Sequence, residues 1–363
     1  MYYGGGDAAE EWVMATPRVE SDVVRVGMVG TGFVARLRAD ALRASDRASL
    51  VAVAGHNTAD TQAFAAQYNA VAVDNWQTLV DRSDLDLIVV CHINRDHSTV
   101  AAAALEANHH VVVEYPLALS ADEAQLLLTL AKAKQRLLHV EHIELLGGTH
   151  LAAKASLEAI GQPFYARYCT LAPRRPAPTT WTYCPELFGF PLVGALSRLH
   201  RLIDCFGPVA RVYCQNHYSD LAPGPEGLTC YATCLCTAQL TFTSGLIAEV
   251  TYGKGEALWQ TTRRLEVIGS DGSLCLDGDQ GALTDAQGTR AIEVGSRRGL
   301  FAADTAQVIE HLLTGQTLYC TPEASLYTLQ VASAAQRSAA TGRVVDVAAP
   351  RPAPYSPPSE SPR

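Results

Sequence analysis

Apolar positions follow two different rhythms along the chain. Over 23–146, short apolar runs alternate with helical stretches: strands over 24–29, 50–54, 85–90, 110–113 and 137–140, helices over 35–44, 59–68, 99–107 and 122–134. These strands are apolar at successive positions, as strands buried on both faces must be. The alternation predicts a doubly wound parallel sheet.

From about residue 149 the period changes to two. Cys230, Ala232, Cys234, Cys236, Ala238, Leu240 and Phe242 occupy alternate positions, Ser244-Gly245 allows a turn, and Leu246, Ala248, Val250 and Tyr252 resume the pattern. Asp271-Gly272 is a second hairpin signal, between strands over 265–268 and 274–276. A large, mostly antiparallel open sheet is expected, with helices over 151–160, 196–206, 302–313 and 323–340. The fold class is therefore α/β followed by α+β. Residues 1–22 read as a flexible extension, 23–146 as a nucleotide-binding domain, 147–346 as a substrate domain, and the Pro- and Ser-rich 347–363 as a disordered tail.

Composition narrows the function classes. The 363 residues carry a net charge of −9, which argues against a nucleic-acid partner but leaves room for a small anion held by local arginines. No apolar run approaches the roughly 20 residues that span a bilayer, so no membrane partner is expected. The N-terminal stretch has no secretory pattern, and the 10 cysteines show no C-x-x-C spacing. They read as reduced, mostly buried thiols of a cytoplasmic protein.

The first strand runs into Gly30-Thr31-Gly32-Phe33-Val34-Ala35 and then a helix. This G-x-G-x-x-A, placed after the first strand of a βαβ series, is the dinucleotide turn of a Rossmann domain: the glycines let the backbone approach a pyrophosphate at a helix N-terminus. The second strand ends at Gly55-His56-Asn57-Thr58, where NAD-binding chains carry an acid for the ribose. Without that acid a 2′-phosphate is not repelled, and Asn57, Thr58 or His56 can bind it. NADPH is expected, with NADH a weaker alternative. His92, Asn94 and His97, at the end of the next strand, and Glu114 are candidate contacts on the nicotinamide side.

The stretch Val113-Glu114-Tyr115-Pro116-Leu117 resembles the Glu-Lys-Pro motif of the glucose-fructose oxidoreductase and inositol dehydrogenase family, with Tyr115 in place of the catalytic lysine. That family's helical Asp and His also have replacements, Ser197 and Arg201, when the helix is aligned on Leu202-Ile203-Asp204. The general base needed to oxidise a polyol is missing. These replacements, with 138–146, 164–168, 188–192, 195–199 and 295–301, resemble the biliverdin reductase branch of the family, especially its cyanobacterial form. The resemblance implies hydride transfer from NADPH to the central methine carbon of biliverdin, with protonation of a pyrrole nitrogen, giving bilirubin. It leaves the oligomeric state open.

The resemblance makes Arg198 the catalytic candidate, with Tyr115 either a proton donor or a wall of the pocket. A planar dianionic tetrapyrrole needs a flat slot and cations, and Arg198 and Arg201 share a helix face. Glu114, His142, Glu144, Arg298 and Lys254 are further candidates for the substrate. Each also has a structural reading: Arg298 as a solvated surface charge, His142 and Glu144 as hydrogen-bonding groups. No metal site is expected, because His139 and His142 lack a ligand spacing and no H-E-x-x-H occurs. A sugar or cyclitol oxidoreductase and a non-catalytic NADP-binding regulator are the competing functions.

Overall fold

Six consecutive strands make the expected parallel sheet. In a computed structural model, which describes Val19 and residues 21–349, they are β1 (Val24–Val29), β2 (Ala48–Ala54), β3 (Val71–Val73), β4 (Leu87–Val90), β5 (His110–Val113) and β6 (Leu138–Val140). Their order is β3-β2-β1-β4-β5-β6, all parallel, so the chain reverses direction between β1 and β4. That reversal opens a crevice at the strand C-termini, where ligands bind in such sheets. The connections are α1 (Phe33–Arg43), α2 (Thr58–Tyr68), α3 (Trp76–Val80), α4 (His97–Glu106) and α5 (Ala121–Lys134). β4 and β5 are buried along their whole length, which is why they read as unbroken apolar runs. The short β3 and α3 carry too little pattern to stand out in the sequence.

After α6 (Gly148–Ser156) comes β7 (Pro163–Pro173), then three helices, α7 (Pro185–Phe188), α8 (Pro191–Gly194) and α9 (Ser197–Phe206). The strands β8 (Val209–Ser219), β9 (Ala222–Pro223), β10 (Thr229–Cys230), β11 (Thr233–Phe242), β12 (Ile247–Gly255), β13 (Thr262–Gly269), β14 (Gly272–Asp277), β15 (Gln280–Asp285) and β16 (Gly288–Glu293) follow. α10 (Leu300–Thr314), α11 (Pro322–Thr341) and β17 (Val345–Asp346) complete the described chain. The large sheet has the order β16-β15-β14-β13-β7-β12-β11-β8-β17, antiparallel except at β7–β12. Ala238, Leu240, Ala248, Val250, Leu265 and Val267 alternate onto its buried face, as the period of two requires.

Two local expectations are corrected. The long strand begins at Thr233 rather than Cys230, because Cys230 sits in the small β9–β10 ribbon. Cys230 is joined to Cys184 in a disulfide, so those two cysteines are not the reduced thiols the sequence suggested. β12 continues past Tyr252 to Gly255 and carries Lys254 within it. Of the expected extension 1–22, residues 1–18 and 20 lie outside the described residues, as do residues 350–363 of the expected tail 347–363.

α10 crosses back. Although it follows the large sheet in sequence, its Val308, Ile309 and Leu312 pack with Val24, Val26, Leu42 and Val89 on one face of the parallel sheet. Among the described residues no helix is long and apolar enough to cross a membrane.

Candidate active site

The glycine turn is shaped for a phosphate. Gly30 has φ +117°, and a Cβ there would come within 2.2 Å of the Cys91 carbonyl oxygen, so glycine is required. Gly32 is the N-cap of α1, without a side-chain cap, and a Cβ built on it meets nothing within 4 Å. Phe33 is exposed, Thr31 and Val34 are half-buried, and the first turn of α1 carries no acid. The helix therefore offers free N–H groups to open space, a cradle that fits a dinucleotide pyrophosphate.

At the end of β2, the Asn57 side chain accepts a hydrogen bond from the Asp60 backbone N–H at 3.0 Å and caps α2. His56 and Thr58 are exposed. Thr58 and Gly55 line a small hollow together with Asp74, which follows β3. Asp74 is an acid that the linear reading of β2 did not reveal.

The residues after β4 work mainly within the protein. Both ring nitrogens of the buried His97 face carbonyls, of Pro116 at 2.8 Å and of His92 at 2.9 Å. Asn94 donates from Nδ2 to the Phe188 carbonyl at 2.9 Å, tying the parallel sheet to the segment before α8. His92 Nδ1 lies 3.2 Å from Asp96. Asn94 and His97 thus brace the loops at the ends of β4 and β5.

Glu114, expected to face both cofactor and substrate, is instead paired with the buried Arg38 at 2.5 Å. Arg38 also binds Asp304 of α10 at 2.8 Å, and Asp304 accepts from Tyr319 at 2.7 Å and lies 2.8 Å from His139 Nε2. Burial opposes ionisation of Asp304, yet Arg38 and His139 hold its carboxyl well below the usual range. Glu141 sits beside Glu114, and burial together with that second carboxylate pushes its own carboxyl well up. This network fastens α1 and α10 beneath the catalytic strand ends.

Tyr115 and Arg198 meet through Ser197, which the sequence reading named only as the replacement of the family's helical acid. Arg198 Nη1 donates to Ser197 Oγ at 2.9 Å, and Ser197 Oγ donates to the Tyr115 hydroxyl at 3.2 Å. The Tyr115 ring is stacked on His142, with centroids 5.5 Å apart, and burial pushes its hydroxyl pKa up. Tyr115 therefore keeps its proton near neutrality. Arg198 lies over the Tyr252 ring at 5.2 Å and reaches Thr170 at 3.4 Å. Ser197, where sugar-oxidising relatives were expected to carry an acid, links the two candidates.

Arg201 and Glu144 are also brought together, as an ion pair of 2.9 Å, with the Arg201 guanidinium 5.3 Å from the Tyr168 ring. Arg201 is fully buried, so it does not stand beside Arg198 as a second open cation. Glu144 receives two further arginines, Arg263 at 3.0 Å and Arg297. The sequence reading favoured Arg298; both arginines are exposed, but it is Arg297 that reaches Glu144. Arg263 gave no signal because a charged position on a strand looks solvated. His142 does not sit on an extended strand: β6 ends at Val140, and His142 leads into a single 3-10 turn.

Lys254 is buried inside an aromatic box. Its ammonium lies 3.9 Å from the Phe188 ring centre and 4.6 Å from that of Tyr183, and it donates to the Thr182 carbonyl. Burial lowers its pKa to about 8. The box occupies this cation, which the sequence offered as a propionate contact.

Comparison with known proteins accounts for this arrangement. Residues 24–142 match the model described as oxidoreductase family, NAD-binding Rossmann fold, and residues 154–347 match its C-terminal alpha/beta domain. The chain belongs to the GFO/IDH/MocA oxidoreductase family. It is similar to the crystal structure of biliverdin reductase in complex with biliverdin and NADP+ from Synechocystis sp. PCC 6803: 46% identity, TM-score 0.84, covering 87% of this chain and 99% of that one. Biliverdin reductase A of Mus musculus is 33% identical over 140 residues, 36% of this chain and 41% of that protein. A dTDP-3,4-didehydro-2,6-dideoxy-alpha-D-glucose 3-reductase of Saccharopolyspora spinosa is 32% identical over 137 residues, 38% and 41% of the two chains. The chain thus spans about two-fifths of the length of these curated relatives. Levoglucosan dehydrogenase in complex with NADH, 18% identical with a TM-score of 0.78 over 90% of this chain and 99% of that one, shares the fold. The family expected from Tyr115 and its surroundings is the family found.

Proposed function

We propose that this oxidoreductase reduces biliverdin to bilirubin with NADPH. The observation that carries the reading is the Arg198–Ser197–Tyr115 chain of hydrogen bonds, standing where a sugar dehydrogenase of the family would need a base. The 46% identity to a biliverdin reductase over nearly that protein's whole length supports it. The dinucleotide, when bound, supplies the hydride. Reduction of a methine bridge removes no hydroxyl proton, so a lysine at the position of Tyr115 is dispensable. One proton must instead reach a pyrrole nitrogen. Arg198 is too weak an acid to give up its own, with a pKa above ~12. Its charge stabilises the negative charge that the hydride brings onto the pigment and orients a proton-bearing water, while Tyr115 closes the slot. Mixing the protein with biliverdin and NADPH tests this directly: the pigment spectrum shifts from verdin to rubin in step with NADPH oxidation. A protein that binds NADPH yet leaves the spectrum unchanged disproves the reading, and oxidation of sugars or cyclitols would favour the parent chemistry.

Tyr115→Phe keeps the ring on His142 and removes the hydroxyl. Turnover is expected to fall less than about tenfold, or ~1.4 kcal/mol of barrier. A loss of several hundredfold with intact NADPH affinity would make the hydroxyl a chemical participant.

Cofactor preference is expected to favour NADPH by kcat/KM. Asn57→Asp adds a carboxylate at the end of β2 and preserves the cap, since Asp caps as well as Asn. It is expected to lower NADPH use relative to NADH by about tenfold through repulsion of the 2′-phosphate. Gly55 is the wrong place for this change, because a Cβ there would lie 2.4 Å from Thr61 Oγ1. An unchanged ratio in Asn57→Asp would place the 2′-phosphate elsewhere.

A further inference from the structure

We propose that His142, His200 and Cys320 form a zinc site. Spacing along the chain conceals it: His142 follows β6, His200 lies within α9, and Cys320 precedes α11. The fold brings one ligand atom from each to within 4.8 Å of the others, and all three residues are buried. Cys320 Sγ lies 3.9 Å from His200 Nε2. Nitrogen and sulfur ligands stand about 3.6 Å apart across a tetrahedral zinc, so little movement is needed.

The hydrogen bonds around the cluster point the same way. His142 Nε2 meets Ser325 Oγ at 2.9 Å, while His142 Nδ1 is buried without a partner. When Nε2 donates to Ser325, Nδ1 is left as a bare lone pair, the arrangement in which a metal-binding histidine is held by a neighbour on its other nitrogen. Two imidazoles and one thiol suit zinc, a borderline ion that takes nitrogen and sulfur together, better than magnesium or calcium. Zinc binding would release the Cys320 thiol proton and leave one coordination position for an outside ligand.

Such an ion would join three segments around the candidate active site. His142 stacks on Tyr115, and His200 shares α9 with Ser197 and Arg198. The ion would be a positioning element that fixes α9 against the end of the parallel sheet.

The test uses the full chain stripped with a chelator, without pigment or dinucleotide, so its result is independent of the proposed reaction. Titration with zinc is expected to show one equivalent bound more tightly than about 1 μM. Titration with cobalt(II) is expected to give the thiolate-to-cobalt absorption in the near ultraviolet and the visible bands of a tetrahedral ion. Cys320→Ser should abolish the thiolate absorption, and His200→Gln should weaken zinc binding by at least about a hundredfold. Folded wild-type protein that binds no zinc and shows no thiolate–cobalt absorption overturns the proposal. So does an absorption that persists in Cys320→Ser, which would place the ion on another cysteine.

Discussion

Replacing Arg198 with alanine is expected to lower the proposed turnover of biliverdin by about ten- to a hundredfold and to leave NADPH affinity unchanged. The estimate follows from losing one charge-assisted hydrogen bond, roughly 1.5–3 kcal/mol. The dinucleotide cradle lies on Gly30–Phe33, at the start of α1, whereas Arg198 lies on α9. If the guanidinium acts while the pigment is being protonated, the loss appears in kcat; if it anchors a propionate, it appears in KM. Arg198→Lys is expected to recover little, because lysine has neither the planar fork nor the flat face that lies over Tyr252. Because Ser197 joins Arg198 to Tyr115, the effects of Arg198→Ala and Tyr115→Phe should not add in the double variant. Wild-type turnover in a folded Arg198→Ala protein saturated with NADPH would remove Arg198 from the site.

The second large effect is on stability. Arg38→Met is expected to destabilise the protein by about 3–5 kcal/mol, because it strands the carboxylates of Glu114 and Asp304 in a buried setting. Methionine fills much of the same volume, so the loss reports on charge rather than on a cavity. A thermal midpoint lower by roughly 10 °C is the expected reading. Adding Glu114→Gln to Arg38→Met should recover part of the loss, since it removes one of the stranded charges. A midpoint unchanged by Arg38→Met would show that water reaches and solvates the two acids.

The parallel sheet was legible because strands buried on both faces leave unbroken apolar runs, and a glycine turn after the first of them has few other uses. The period of two exposed β11 and β12 because for much of their length only one face of each is buried. Pairings between distant charges were not legible. Glu144 and Arg201 could both be singled out, yet nothing in the sequence says that they neutralise one another, or that Arg263 and Arg297 join them. Lys254 read as an open cation because its aromatic box comes from residues 183 and 188, on a separate part of the chain. Ser197 looked like a simple loss of the family's acid until its hydroxyl was seen to bridge Arg198 and Tyr115. Asp74 was hidden because the strand it follows has only three residues.

The return of α10 onto the parallel sheet bears on how this protein can be taken apart. A cut near residue 147 would strip Val308, Ile309 and Leu312 from the face formed by Val24, Val26 and Val89, and would remove Asp304 from Arg38. The severed N-terminal piece would be sticky and short of a counter-ion, so it is no interchangeable cassette for grafting onto other substrate-binding halves. A chimaera that keeps this face covered would have to carry residues 300–314 along with the nucleotide-binding part, as a two-piece graft from a single parent.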